Sequence, residues 1–418
     1  MAKKYPVISP NLPIKRVWLP LSIIMWTGAF VMRTIAGAKI VKRNKLPKPP
    51  YLILGTHASM MDFYTEISLT FPHQPYWVST VEEFIYRYFL FRRMGVLAKR
   101  KFSNDPKSAL TYLEILQKRK KILVIYPEAR YSLVGENERI DKSLGKFVKK
   151  ANVPVVIVKG HGNYLQCPQW SDRKLRKFHP IINEVETVIN KYDLEIMAAD
   201  EIQKKIEENF YISEDEWMQK KNIRIKYPNR AKGIHQILYK CPHCGTEFEM
   251  SSEGHTLRCN HCGKEYDYLE NGQLKCLNGE TIFDYPSKWY KWEKECCKQD
   301  VLNGTYHFED EVRVEKLMGA KIGFVPLEGK YQLTHDIKGG LTCKGIDNDF
   351  YLNRTSMHSF GLHIEYNYLN KRGTFIEISD NDDTYFIYPK NKPLEVTKMH
   401  FAVEHIYDML KGQMKEEK

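Results

Sequence analysis

His57 and Asp62 stand five positions apart in "GTHASMMDFY", residues 55–64, directly after the apolar run "YLIL". A histidine with one ring nitrogen held by a carboxylate keeps the other as a free base, able to deprotonate a hydroxyl or thiol. On one continuous helix this spacing sets the two side chains about 140° apart, too far round to meet. The pair works only if His57 precedes the first helical turn, at a strand end, so that its ring swings over that turn. A surface histidine and an unrelated helical aspartate would share the spacing. Among 14 histidines one such pair is unsurprising by chance, so other residues must decide.

A second polar group sits in "YPEARYS", residues 126–132, where Glu128 and Arg130 follow the apolar run "KILVIYP". Open α/β sheets bind ligands beyond the carboxyl ends of their strands, so two strands deliver polar groups to one crevice. A Pro-Glu turn carrying a surface ion pair is the alternative. A third constellation is "CPHCG" at 241–245 and "CNHCG" at 259–263, two Cys-x2-Cys pairs separated by fourteen residues. Each pair precedes a glycine, which permits the tight turn that aims two thiolates at one metal. Cys241, Cys244, Cys259 and Cys262 close a four-cysteine zinc-ribbon site, structural because four thiolates leave no position for substrate. His243 and His261 lie inside the pairs as bystanders, and a redox dithiol is the competing reading.

These residues need elements to position them. The runs "YLILGT" (51–56), "KILVIYP" (121–127) and "VPVVIVKG" (153–160) are aliphatic without alternation, as strands buried on both faces are. Residues 81–94 and 107–119 read as helices between them, the second with Asp105 as N-cap and Pro106 at the first helical position. Strands alternating with helices predict an α/β layer structure. Residues 198–220 read as a charged helix. Beyond about 270, short aromatic and β-branched runs alternate with turns and close with "VTKMHFAVEHIYDMLKG", an amphipathic helix. That pattern predicts a small barrel or sandwich capped by the helix, with a faint pleckstrin-homology-like character.

The 418-residue chain carries a net charge of +13, unevenly spread. Residues 1–50 hold ten Lys or Arg, Lys3 and Lys4 among them, and no acid; the rest carries 54 basic against 51 acidic residues. A basic arm on a neutral body points to a localised anionic partner. Within the arm, "VWLPLSIIMWTGAFVM" (17–32) is uncharged. As a helix it would be roughly 24 Å long against about 30 Å of hydrocarbon. It suits a segment lying in the interface, with Trp18 and Trp26 at headgroup depth and cations on anionic lipid. A core helix flanked by lysines is the bland alternative. Residues 241–268 hold Arg258 and Lys264 against five acids, without a basic stripe, so no nucleic acid is expected as partner. The remaining five cysteines show no framework spacing, which predicts a reducing compartment without disulfides.

Taken in order, four blocks resemble the glycerolipid acyltransferase family of the lysophosphatidic-acid type. They are His57-x4-Asp62, "GVLAKR" (Gly95–Arg100), "YPEARYS" and "VPVVIV" (153–158). The resemblance covers 51–160 well and 1–240 loosely. In the third block Pro127, Glu128 and Ser132 match, whereas Ala129, Arg130 and Tyr131 stand where the family has Gly, Thr and Arg. The resemblance implies a mixed sheet flanked by helices and a direct transfer: His57, oriented by Asp62, deprotonates an acceptor hydroxyl. The alkoxide then attacks the thioester of acyl-CoA or acyl-carrier protein. It also implies cations for an acceptor phosphate, Arg100, Lys99 and Arg130, and Glu128 to orient the acceptor or those cations.

The expected organisation is a membrane-interface segment over 1–50, an acyltransferase domain over 51–235, a zinc ribbon over 236–270 and a β-rich domain over 271–418. The expected function is acylation of a lysophospholipid, 1-acylglycerol-3-phosphate foremost, in phospholipid biosynthesis. The expected place is the cytoplasmic side of a membrane, held peripherally or monotopically. The competing reading is a non-catalytic membrane-tethered adaptor that keeps the fold and binds a partner through the ribbon and tail.

Overall fold

The computed structural model describes residues 8–9, 12–59, 61–103, 105–172, 176, 180–367, 372–380 and 382–416; Lys3 and Lys4 of the basic arm and Met60 of the His-x4-Asp block lie outside them. The chain divides into two compact units. One comprises Met1–Lys99, Asp105–Pro168 and Leu175–Lys220; the other comprises Arg100–Asn104, Gln169–Lys174 and Lys221–Lys418.

The first unit is built on a seven-stranded sheet. Its strands are β1 (Ala38–Lys42), β2 (Leu52–Gly55), β3 (Tyr76–Thr80), β4 (Val96–Lys99), β5 (Leu123–Ile125), β6 (Val155–His161) and β7 (Ile181–Ile189), in spatial order β1-β7-β6-β2-β5-β3-β4. Strands β6, β2, β5, β3 and β4 run parallel, and β7 is antiparallel to β6. The helices are α1 (Leu19–Ile35), α2 (Met61–Thr70), α3 (Tyr88–Met94), α4 (Pro106–Leu113), α5 (Leu144–Ala151), the single turn α6 (Asn163–Gln166), α7 (Lys191–Ile196), α8 (Ala199–Phe210) and α9 (Glu214–Lys221).

The three apolar runs are the central strands, and neighbouring residues along them point to opposite layers. Leu52, Leu54, Val155 and Ile157 pack with Leu144 and Val148 of α5 and Ile202, Ile206 and Phe210 of α8. Ile53, Val124, Val156 and Val158 pack with Met25 and Ala29 of α1 and Ile67 and Leu69 of α2. Both faces are therefore apolar and covered, which is why these strands lack alternation.

Two predicted helices differ in detail. Over 81–94 a 3-10 turn, Val81–Phe84, gives way to α3, because Tyr86 adopts a left-handed φ of 59° that no α-helix accommodates. Over 107–119 the expected N-cap is present: the Asp105 carboxylate accepts the N–H groups of Lys107 and Ser108, and α4 runs on as a π-helical turn, Glu114–Lys118. The charged stretch 198–220 forms two helices, α8 and α9.

In the second unit, β8 (Met250–Glu253), β9 (Thr256–Cys259), β10 (Glu265–Tyr268) and β11 (Leu274–Cys276) form an antiparallel sheet around the cysteine pairs. After α10 (Pro286–Leu302) comes a second antiparallel sheet of β12 (Phe308–Leu317), β13 (Phe324–Pro326), β14 (Tyr331–Asp336), β15 (Gly340–Gly345), β16 (Tyr351–Arg354), β17 (His363–Glu365), β18 (Phe375–Ser379) and β19 (Thr384–Pro389). The amphipathic terminal stretch is α11 (Val396–Glu416), whose Val396, Met399, Phe401, Ala402, Val403 and Ile406 are buried. The expected β-rich region with a closing helix is thus present.

Candidate active site

His57 lies two residues beyond β2, the central parallel strand, and ahead of α2, whose second residue is Asp62. The loop makes the turn that the spacing demands. Asp62 is buried, and one carboxylate oxygen, Oδ2, accepts the backbone N–H groups of Ala58 at 2.8 Å and Ser59 at 2.9 Å. The same oxygen lies 3.4 Å from His57 Nδ1. Such a distance is long for a hydrogen bond, and pairs of this kind tighten when substrate binds. A carboxylate at this position favours the tautomer with Nδ1–H toward Asp62, which leaves Nε2 able to accept a proton.

The imidazole is enclosed. Tyr126 stacks on it with ring centroids 4.1 Å apart and Tyr131 packs at 4.2 Å. Two rings that close cannot share one face, so they cover both faces and leave the edge. The His57 side chain as a whole retains 21% exposure. Tyr131 occupies the position where the resembling family has arginine; here that departure contributes an aromatic wall beside the base. An imidazolium between two π faces is favoured electrostatically, which suits a base that must carry a proton transiently.

Carboxyl groups surround the pair. The Tyr126 hydroxyl donates to Glu66 of α2, and burial holds the Glu66 carboxyl well above the usual carboxylate range. Glu128, beyond β5, is buried and pushed up to about 8 by desolvation. It accepts the His57 backbone N–H at 3.3 Å on one oxygen and that of Glu138 at 2.7 Å on the other. Glu128 thus ties the loop after β2 to the loop after β5. Glu214, at the start of α9, accepts the Gly162 N–H at 2.8 and 3.1 Å and is likewise pushed up to about 8 by burial. Asp62 is set apart from these acids by its set of N–H donors.

Ala129 has a left-handed φ of 57°, which accounts for a glycine at this position in the resembling motif. Next to it, Arg130 forms a buried ion pair with Glu138, 2.7 Å from Nη2 and 3.2 Å from Nε to the same oxygen. Ser132 donates its N–H to the His57 carbonyl at 2.9 Å, a second tie between the two loops. His57, Asp62, Glu128 and Arg130 therefore belong to one connected network. Lys99 ends β4, three strands from β2; burial lowers its pKa, while Asp105 and Asp141 oppose the shift. Arg100 falls in the second unit, where its guanidinium donates to the Asp382 carbonyl.

Two features escape the sequence reading. The backbone N–H groups of His57, Ala58, Ser59 and Asp62 are taken within these loops, by Glu128, by Asp62 itself and by the Ser59 carbonyl. The other is Asn163, fully buried in the turn after β6, which donates from Nδ2 to Asp62 Oδ1 at 2.5 Å. The signal was available: "GHGNYL" places a polar residue just past the third buried strand, as His57 and Glu128 are placed after the first two.

In the second unit, the sulfur atoms of Cys241, Cys244, Cys259 and Cys262 lie within 4.8 Å of one another. Cys241 and Cys262 are 3.7 Å apart and Cys244 and Cys259 3.8 Å. A tetrahedral ion with bonds of ~2.3 Å to sulfur needs sulfurs ~3.8 Å apart, so the set fits one metal. Gly245 and Gly263 have φ of 74° and 73° and bond back to the Cys241 and Cys259 carbonyls, the tight turns expected after each pair.

A mostly parallel α/β sheet with polar groups gathered at its strand ends defines an enzyme-like domain. Residues 37–159 of this domain match the acyltransferase family model. That segment, under a third of the chain, is an acyltransferase domain, and the enzyme class it marks is acyl transfer. A crystal structure of the 1-acyl-sn-glycerophosphate (LPA) acyltransferase, PlsC, from Thermotoga maritima is similar over 48% of this chain and 79% of that one, with 18% identity and a TM-score of 0.36. No curated protein matches the sequence.

Proposed function

We propose that this protein transfers an acyl chain from acyl-CoA or acyl-carrier protein to the hydroxyl of a lysophospholipid, 1-acylglycerol-3-phosphate foremost, in phospholipid biosynthesis. The observation that carries the reading is His57 just past the end of the central strand, partly exposed, with its Nδ1 3.4 Å from the buried Asp62 carboxylate. His57 Nε2 removes the acceptor hydroxyl proton as the oxygen attacks the thioester carbonyl. The imidazolium, held by Asp62 and the two tyrosine faces, returns that proton to the departing thiolate. No covalent enzyme intermediate is needed.

In this reading Glu128 acts by bracing His57 through its backbone. Lys99 and Arg130 are the cations of the first unit that the motif order assigns to the acceptor phosphate. Lys99 stands roughly 14 Å across the sheet from β2, at about 4.8 Å per strand, a span that a glycerophosphate and two side chains bridge. The four cysteines hold a structural zinc ion in a ribbon-like module, whose ion would supply cross-linking and no chemistry to the transfer. The sheet of β12–β19 closed by α11 is the pleckstrin-homology-like module of the sequence reading.

The acceptor and product are bilayer components, so the enzyme works at the cytoplasmic membrane surface. Among the described residues no helix is long and apolar enough to cross a membrane. Helix α1, 17 residues long, instead exposes Leu19, Ile23, Ile24, Val31 and Ile35 to solvent while Ser22, Met25 and Ala29 face the domain. An exposed apolar stripe flanked by cations suits monotopic docking.

Acyl transfer from labelled acyl-CoA and from acyl-carrier protein to lysophosphatidic acid in vesicles tests the proposal. Wild type is expected to turn over, and His57→Ala to lose about 10³-fold or more in kcat, as the loss of a general base and its partner does. Turnover with neither donor on any lysolipid acceptor would favour the adaptor reading.

A further inference from the structure

We infer that Asn163 is a positioning residue for the base: it completes a His57–Asp62–Asn163 relay, resting on the acyl-transfer reading above. Asp62 offers two oxygens. Oδ2 faces His57 Nδ1 and the N–H groups of Ala58 and Ser59, all from the loop after β2. Those contacts leave the other oxygen, Oδ1, in the buried interior behind the site. Asn163 Nδ2 meets it at 2.5 Å, from a different strand end, 101 residues further along the chain.

The orientation of the amide follows from chemistry. An amide oxygen in that position would face a carboxylate oxygen, acceptor against acceptor. The nitrogen must therefore point to Asp62, and its second hydrogen is directed toward Asn183 Oδ1 of β7, 3.4 Å away. Asn163 and Asn183 are both essentially inaccessible to solvent, so water cannot substitute for the amide.

The surrounding backbone shows that the place is built. A Cβ on Gly160 would lie 2.6 Å from Asn163 Nδ2 and 3.0 Å from Asn183 Oδ1, so β6 can approach only without a side chain there. The Gly160 N–H donates to Thr56 Oγ1 at 3.0 Å, and Glu214 holds the Gly162 N–H. Both bonds fix the turn that carries Asn163. Neither touches the acceptor side of His57.

The physical consequence is specific. A buried carboxylate with donors on one oxygen only can rotate about its Cβ–Cγ bond and let His57 Nδ1 go. A donor on Oδ1 stops that rotation and keeps Oδ2 against His57 Nδ1, which in turn holds the imidazole in the tautomer with Nε2 unprotonated. Asn163 thereby acts on catalysis through Asp62 without touching substrate, so its loss lowers kcat and spares KM.

The test uses full-length protein carrying Asn163→Ala or Asn163→Leu, each also combined with His57→Ala. Steady-state acyl transfer to lysophosphatidic acid is expected to fall about 30- to 100-fold in kcat with KM within about threefold of wild type, a loss in the range for a group that orients a general base. In the His57→Ala background the same substitutions are expected to change the residual rate less than about twofold, because the relay no longer has a base to orient. Ring 15N shifts of His57, assigned by difference against His57→Ala, are expected to show Nδ1–H in wild type and mixed tautomers in the Asn163 variants. This signature needs no turnover, so it separates failure of the relay from failure of the acyl-transfer reading. If the apolar variants do not fold, Asn163→Asp retains the shape and is expected to lose at least about tenfold in kcat, since two adjacent carboxyls share one proton and halve the charge facing His57. A folded variant with kcat within threefold of wild type, an unchanged tautomer signature, or an equal loss in the His57→Ala background would each overturn the inference.

Discussion

At the residue scale, the site separates its acids by environment. Asp62 has two backbone donors on Oδ2 and the Asn163 amide on Oδ1. Glu214 shares a single backbone N–H between its two, lies beside Asp62, and is pushed from an ordinary 4.5 up to about 8 by desolvation. A carboxyl whose folded pKa is raised is protonated in the fold and ionised in the unfolded chain above 4.5. Its contribution to stability is fully present below 4.5 and is lost as pH rises toward about 8. Glu214→Gln keeps an acceptor oxygen for Gly162 and cannot ionise. Urea unfolding is therefore expected to give equal stabilities for wild type and variant near pH 4.5, and a variant more stable by about 1–3 kcal/mol at pH 8 to 9. Parallel stability curves across that range would refute the assignment. His57 and Asp62 were legible in the sequence because a strand-end histidine leaves a period mismatch that only a turn resolves. Tyr131 was not, since its place opposite Tyr126 depends on how two loops from different strands fold over one ring.

At the element scale, the readable parts were those with one dominant local signal. Three aliphatic runs became the three central strands, and Asp105-Pro106 marked a helix start. Two neighbouring strands on one side of the sheet were missed: "AKIVK", the edge strand β1 in the basic arm, is largely exposed, and "IINEVETVI", β7 beside it, alternates, so neither has the continuous apolar signal of a doubly covered strand. Asn163 was missed for a related reason, because its partner Asp62 is 101 residues away and becomes a neighbour only through sheet order. The cysteine pairs were legible because their spacing alone brings four sulfurs together. The β8–β11 sheet around them is small, and the adjoining residues Tyr239 and Trp289 are fully buried, with Trp289 Nε1 donating to the Lys240 carbonyl beside Cys241. A structural metal should therefore be part of folding. Elemental analysis is expected to find one zinc ion per chain, lost in Cys259→Ser. Strong chelation is expected to lower the thermal midpoint by about 10 °C or more, given a metal-binding free energy on the order of 10 kcal/mol. Metal-free protein with an unchanged midpoint would show that the cysteines stand alone.

At the scale of the whole molecule, the unusual feature is where charge and apolar surface are placed. A water-soluble protein rarely leaves one helix face with Leu19, Ile23, Ile24, Val31 and Ile35 each more than half exposed. Lys15 and Arg16 precede that helix, and Lys39, Lys42, Arg43 and Lys45 follow it, all exposed. Of these, Arg43 is paired with Glu184 of β7. Under the proposed membrane docking, the stripe and the flanking cations would make separate contributions, and experiment can separate them. Apolar burial is insensitive to moderate salt, whereas each cation at an anionic surface adds about 1 kcal/mol that fades within a Debye length. Wild type is therefore expected to bind vesicles containing phosphatidylglycerol at least tenfold more tightly than phosphatidylcholine vesicles, and to lose most of that preference in 0.5 M salt, where screening falls to roughly 4 Å. Combined Ile23→Asp and Ile24→Asp is expected to abolish binding to both lipids. The same variant is expected to acylate a dispersed short-chain lysolipid within twofold of wild type, because α1 packs on the sheet through Met25 and Ala29 and those residues are untouched. Vesicle binding that survives the double substitution would assign membrane attachment to another surface. Loss of turnover on the dispersed acceptor would mean that α1 is part of the catalytic fold rather than its docking edge.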